Sequence, residues 1–177
     1  KEQALYNYAL CIHETAYTGF GESVTVFERF LNDFPNSPYA DKVNDYLVDV
    51  YMNTRSYKTA LASIAKIKKP GARILEARQK INYRLGTEAL VGANYEDALG
   101  YFNQSIEDGR YNRQTLADAY FWRGETRYRL DNWGGAEADY LQYLATAPTD
   151  AVQRGMAYYN LGYTAFQRKN YAKARGY

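Results

Sequence analysis

Few side chains in this sequence suit covalent or acid–base chemistry. Its 177 residues contain one cysteine, Cys11, and one histidine, His13. One cysteine excludes an internal disulfide and a cysteine-rich zinc site, and one histidine excludes a multi-histidine metal centre. Cys11 and His13 lie two residues apart, so on a helix they point to different faces and form no nucleophile–base pair. Cys11 is expected in the core and His13 as a packing or surface residue. The carboxylates are spread as on solvated helix faces, with no pair set apart by spacing as acid and base. Gly19-Phe20-Gly21-Glu22-Ser23 superficially suggests a phosphate loop, but the later glycine and lysine are missing and no strand precedes it. Asn103-Gln104-Ser105 meets the glycosylation pattern, but inside an expected helix. No catalytic residue, metal or cofactor is expected.

The abundant chemistry is aromatic. Tyrosine supplies 20 of the 177 residues, beside 7 Phe and 2 Trp. Rings with few rotatable bonds bury much apolar area at small entropic cost, which suits binding as well as core packing. The charges nearly cancel, 22 Lys and Arg against 20 Asp and Glu, so no polyanion is implied and nucleic acid is not an expected partner. Lys66, Lys68, Lys69, Arg73, Arg78, Lys80 and Arg84 cluster around Pro70-Gly71. They read as a solvated outer face, with an acidic partner or lipid head group as the other reading. Arg123, Arg127 and Arg129 are expected to make surface ion pairs, with Glu125, Asp131 or Glu137 as partners for Arg123. Only four prolines interrupt the chain, which favours helix over β-structure. No apolar run approaches the roughly 18 residues of a membrane span.

The elements that must position these rings show themselves as a repeat. Tyr57, Tyr95, Trp133 and Tyr171 each stand three residues before an alanine (Ala60, Ala98, Ala136, Ala174), at steps of 38 residues. Phe20 with Ser23 extends the series at a step of 37. Nine or ten residues upstream of the later aromatics lie Leu85-Gly86, Arg123-Gly124 and Leu161-Gly162, with Leu47-Val48 and Leu10-Cys11 as degenerate versions. A large apolar residue stands four residues after Ser23, Ala60, Ala98 and Ala136: Phe27, Ile64, Phe102 and Tyr140. Glycine inside a helix costs about 1 kcal/mol, so Gly86, Gly124 and Gly162 are expected to face Ala98, Ala136 and Ala174 in close helix pairs. Asn94, Asn132 and Asn170 are expected at the turns, in left-handed backbone or as helix caps. First helices are placed near 3–17, 39–53, 73–91, 113–130 and 151–168, and second helices near 20–33, 57–68, 95–108 and 133–146. A further helix begins at 171. The repeats are approximately 3–40, 41–78, 79–116, 117–154 and 155–177, the last incomplete, in a single domain spanning 1–177. Because the chain starts at Lys1 and stops just inside a new helix, a fragment of a longer array is expected.

The order aromatic, leucine-glycine, tyrosine, alanine, phenylalanine, with closing Pro35 and Pro148, resembles the tetratricopeptide repeat. The resemblance covers essentially the whole chain, and the 38-residue period is about one helical turn longer than the family's common 34. It implies an all-α, right-handed superhelical solenoid of antiparallel helix pairs whose concave groove is lined by the first helices. Cys11 falls at one of the family's small-residue positions. The segment Asn32-Asp33-Phe34-Pro35-Asn36-Ser37-Pro38-Tyr39-Ala40 is similar to repeats of bacterial envelope proteins, among them the outer-membrane assembly lipoprotein and the periplasmic coordinator of the Tol-Pal system. It implies a periplasmic or cell-envelope location, the cytoplasm being the alternative. There Pro35 stops one helix and Ser37 caps the next, with Pro38 at its first position.

The family frame assigns groove-facing side chains. Position five of the first helices gives Tyr8, Asp45, Tyr83, Phe121 and Tyr159; position nine includes Asp49, Thr87, Glu125 and Tyr163; position twelve includes Tyr128 and Phe166. Repeats that grip the acidic C-terminus of heat-shock chaperones carry lysine and asparagine at positions five and nine. Asp45, Asp49 and Glu125 would repel such a ligand, so it is not expected. The implied function is a non-catalytic scaffold that binds a peptide or helix of a partner protein in an aromatic groove. The alternative is a structural segment whose rings fill the seam between repeats or serve end-to-end self-association.

Overall fold

The computed structural model describes residues 1–15, 21–54 and 56–177. Phe20, the expected first aromatic of the series, lies outside the described residues, as does the Gly19-Phe20 part of the glycine-rich segment. Among the described residues the chain is all-helical, with ten helices and no strand. They are α1 (Glu2–Thr15), α2 (Glu22–Asp33), α3 (Ala40–Asn53), α4 (Tyr57–Ile64), α5 (Ala72–Val91), α6 (Tyr95–Glu107), α7 (Arg113–Arg129), α8 (Trp133–Thr146), α9 (Arg154–Gln167) and α10 (Tyr171–Gly176). None is long and apolar enough to cross a membrane. The chain divides into two compact units, Lys1–Ile81 and Asn82–Tyr177, with the boundary inside α5.

In the first unit α1 packs on α2, α2 on α3 and α3 on α4. Tyr6 stacks on Tyr39 at 4.4 Å, and Phe27 on Tyr46 at 5.6 Å with the His13 ring against both. A buried polar chain crosses this core: Ser63 bonds to Glu28 and to the Tyr51 hydroxyl, which burial pushes above the usual phenol range. Buried polar groups need such partners, because each left unpaired costs about 1–3 kcal/mol. α4 ends at Ile64, four residues before the expected end. The Asn32 side chain explains this: it donates to the Lys66 carbonyl (2.9 Å) and accepts from the Lys68 amide (2.8 Å), holding 66–68 out of the helix. Two expectations fail here. Cys11 is exposed, not core. Ser37 accepts from the Tyr39 amide two residues on, so it makes a turn, and Tyr39 is the N-cap of α3; Pro38 sits ahead of the helix.

In the second unit α6 packs on α7, α7 on α8, α8 on α9 and α9 on α10. Three helices of this unit end identically. The amides of Asn94, Asn132 and Asn170 reach back to the carbonyls of Ala89, Arg127 and Ala165 at 2.8, 2.9 and 2.9 Å. The residue before each asparagine is left-handed: Ala93, Asp131 and Lys169, at φ 58°, 56° and 60°. This is the Schellman end, at which glycine is usual. The left-handed residue is therefore not the asparagine itself. Asn132 and Asn170 do cap the next helix, accepting from Gly135 and Lys173, whereas Asn94 makes no side-chain cap bond.

Gly162 faces Ala174 as expected, its Cβ position lying 3.4 Å from that residue's carbonyl oxygen, but Gly86 and Gly124 have a different neighbour from the one expected. A Cβ on Gly86 would lie 2.7 Å from the Phe102 ring, and one on Gly124 would lie 3.0 Å from the Tyr140 ring. The glycine thus makes room for an aromatic ring one turn beyond the alanine, and Ala98 and Ala136 are separately sealed in the core. Tyr83 and Phe121, three residues before these glycines, pack on the same rings at 6.3 and 5.8 Å. Arg123 stands where the other repeats have leucine, and its partner is Asp139, not Glu125, Asp131 or Glu137. The guanidinium grips Asp139 at 2.6 and 2.9 Å, and Arg127 adds a third bond at 2.8 Å. Asp139 is only 1% exposed, so this is a core ion pair and not a surface one.

Replacing Gly86 by alanine tests the ring seat. Helix propensity alone would add about 1 kcal/mol of stability, while overpacking costs roughly 1–3 kcal/mol. The Gly86→Ala protein is expected to unfold at lower urea than the parent, and an unchanged or raised midpoint would remove the seat from the account of the fold.

Candidate functional site

The eleven sequence-assigned groove residues are divided between the two units. Tyr8, Asp45 and Asp49 belong to the first unit. Tyr8 is exposed and its hydroxyl donates to Glu22 at 3.0 Å. Asp45 is ion-paired with Arg73, which uses its charge inside the unit. Asp49 is exposed. The basic cluster around Pro70 is partly neutralised in the same way: Lys80 pairs with Glu76 at 2.6 Å, and Lys66 lies 4.0 Å from Glu28.

The remaining eight lie in the second unit. Phe121 is 2% exposed and packs edge-on against Trp122, Tyr140 and Tyr143, so it is core and offers nothing to a ligand. Its burial has a local cause, since α8 brings two rings down onto it. Tyr83 is half-buried, and burial raises its hydroxyl above the usual phenol range, with Asp118 adding to the effect and a hydrogen bond from Trp122 opposing it. Thr87 bonds its hydroxyl to the Arg84 carbonyl at 2.7 Å. Glu125 is bound to Arg129 at 3.1 Å and accepts from the Tyr140 hydroxyl at 3.2 Å. All three are partly exposed, with the Thr87 hydroxyl and the Glu125 carboxylate engaged within the unit.

The other four come together. Tyr128 packs against Trp133 at 4.9 Å and Tyr163 at 5.8 Å, Tyr163 against Phe166 at 6.4 Å, and Phe166 against Tyr171 at 5.4 Å. Five rings from α7, α8, α9 and α10 thus form one ladder. Burial, with the neighbouring Tyr163, pushes the Tyr128 hydroxyl up to about 12. Tyr159 stands alongside, 73% exposed. Next to the ladder α9 and α10 enclose an open trough of about 670 Å³, lined by Tyr158, Tyr159, Gly162, Tyr163, Phe166 and Tyr177 among others. Tyr158, Gly162 and Tyr177 were not among the assigned groove residues. Tyr177, just after the end of α10, stands 38 residues after Asp139, so it is an aromatic where the previous repeat has an acid.

The wall of the trough formed by α10 is held by charge. Glu137 on α8 is 4% exposed and receives both Arg168 and Lys173. Burial alone would raise its carboxyl, but the hydrogen bonds and charges of Lys173 and Arg168 hold it below the usual range. Lys173 also lies over the Tyr177 ring at 5.9 Å. The trough is lined mostly by apolar surface, an arrangement suited to polypeptide association. Comparison of the chain with protein-family models gives no match, and comparison with curated proteins gives none.

The Glu137 pair has a pH signature. A carboxyl whose folded pKa is depressed contributes stability above its ordinary pKa, near 4, and loses it as pH falls through the folded value. The gap in urea midpoint between the parent and Glu137→Gln is expected to be constant from pH 8 to 6 and to close as pH falls below about 4. A gap that stays constant to pH 3 would show that the pair does not hold α10.

Proposed function

We propose that this chain is a non-catalytic interaction scaffold of the tetratricopeptide-repeat kind, binding a peptide or helix of a partner protein. The proposal includes the right-handed solenoid architecture of that family. Its support is the 38-residue recurrence of one helix ending at Ala93, Asp131 and Lys169 and of one glycine–ring contact at Gly86 and Gly124. The observation that carries the binding reading is the display of Tyr159, Tyr163 and Phe166 on α9 beside an open trough, 73%, 41% and 55% exposed. Water-exposed rings so close together gain free energy when a partner covers them, at roughly 25 cal/mol per Å² of apolar area, less the cost of association. The partner-facing set is therefore Tyr159, Tyr163 and Phe166 with the edge of Tyr128, and it omits Phe121. The envelope location is carried into the proposal on the Phe34-Pro35-Asn36-Ser37-Pro38-Tyr39 turn.

A second reading, self-association, is favoured by the further exposure of Val152 and Met156 near the same helix. Peptides selected from a random library against the full chain separate the two. Binding of the selected peptides is expected to fall at least tenfold in Tyr159→Ala and in Phe166→Ala, about 1.4 kcal/mol each, with unfolding midpoints nearly unchanged. Peptides that bind the two variants as well as the parent would remove the trough from the proposal. A dimer in light scattering that these substitutions dissolve would favour self-association.

A further inference from the structure

Arg29, Arg73, Arg123, Arg127, Arg129 and Arg168 each meet a carboxylate of the chain. Arg113 and Arg154 meet carbonyls instead, and both go to one helix end. The Nε of Arg113 donates to the Thr146 carbonyl at 3.1 Å. One Nη of Arg154 donates to the carbonyls of Leu144 and Ala147 at 2.9 and 3.4 Å. Two cations thus stand within one turn of each other at the C-terminus of α8, where the helix dipole attracts them. Each spends a single nitrogen there. Both Nη groups of Arg113, and the Nε and second Nη of Arg154, make no hydrogen bond to the described residues. The two side chains line a cavity of about 540 Å³ inside the second unit, within the roughly 300–1,000 Å³ of small-molecule sites. Leu144, Ala147 and Pro148 give it an apolar wall, and Thr146 and Thr149 bring hydroxyls that can turn to donate. Among the described residues no acid lines it. Gln114, also in the lining, turns its amide to Asp118 at 3.0 and 3.1 Å, and Asp150 of the adjoining turn is exposed and outside the lining.

We propose that this cavity, between the start of α7 and the α8–α9 turn, binds a small phosphate monoester with an apolar body, and that Arg113 and Arg154 hold its phosphate. The charge follows from two guanidinium groups with no carboxylate against them, since a phosphate monoester carries about −1.5 to −2 at neutral pH. The tetrahedral group follows from the spread of the donors. They come from α7, from the end of α8, from the turn after it and from the start of α9, so they suit oxygens pointing in several directions. A planar carboxylate is satisfied by one guanidinium fork. The apolar body follows from the wall of Leu144, Ala147 and Pro148. The cavity shares no lining residue with the aromatic trough, so the proposal stands apart from the reading of that surface.

Phenyl phosphate is the probe, titrated calorimetrically into the full 177-residue chain near neutral pH. Saturable binding of one molecule per chain is expected, weaker at about 300 mM than at about 50 mM salt. Benzoate keeps the ring and exchanges the phosphate for a carboxylate; inorganic phosphate keeps the anion and lacks the body. Each is expected to bind at least tenfold more weakly. Arg113→Gln is the decisive variant, because Arg113 is exposed and its loss removes a single carbonyl bond. Its affinity for phenyl phosphate is expected to fall at least tenfold with Tm nearly unchanged, and Arg113→Lys, which restores the charge without the fork, to recover only part of it. Arg175→Gln removes the same charge from an exposed position on α10 and is expected to bind as the parent does. Absence of saturable binding would overturn the site and leave both arginines as caps of α8. Benzoate binding as tightly as phenyl phosphate would overturn the phosphate, and inorganic phosphate binding as tightly would overturn the apolar body. Affinity unchanged in Arg113→Gln, or lowered equally by Arg175→Gln, would overturn the cavity as the place of binding.

Discussion

A ring pressed against a bare helix backbone is the contact on which the second unit depends. Gly86 and Gly124 carry no side chain because Phe102 and Tyr140 occupy the space where one would stand. A glycine inside a helix costs about 1 kcal/mol, and the cost is offset by burying a complete aromatic ring, worth several times as much. The alanines one turn earlier, Ala98 and Ala136, let the two helices come close enough for the ring to reach. Once glycine and ring are fixed 16 residues apart, the turn between them has to close in a set way. The repeated left-handed ends at Ala93, Asp131 and Lys169 are that closure. Three non-glycine residues accept this backbone, each at a cost of about 1–2 kcal/mol, because the packing on either side leaves no other path.

Polar groups in these cores follow the same logic of obligatory partners. Asp139 is buried and is met by two guanidinium groups, Arg123 and Arg127. Losing one partner from such a group costs far more than the intact pair contributes, typically 3–5 kcal/mol. Glu28, Ser63 and Tyr51 do the equivalent in the first unit with a chain of hydrogen bonds. Glu137 extends the principle to the last helix, whose six residues bury little and are fastened by Lys173 and, from the preceding turn, Arg168. The wall of the aromatic trough thus rests on an electrostatic fastening, while the rings displayed beside it are apolar.

The helix map was legible from residue types because the repeat sampled the same pattern several times. The expected and observed helices agree within a few residues, the departures having tertiary causes: the Asn32 clamp on 66–68 cuts α4 short. The site was legible only in part. Tyr159, Tyr163, Phe166 and Tyr128 were picked out by their place in the repeat, yet the same reasoning chose Phe121, which α8 covers with Tyr140 and Tyr143. It also left Asp45 as a free acid, although Arg73 holds it, and offered Glu125 to Arg123, although Arg129 holds it. Cys11, placed in the core by its register, is exposed.

By itself the sequence determined what recurs locally: helix lengths, the 38-residue period, the turns and the rings available. Those follow from propensities and spacings that act over a few residues. Which rings remain open to solvent was decided only by the tertiary structure. Phe121 is buried because Tyr140 and Tyr143 of the following helix lie against it, a contact between helices that no local pattern encodes.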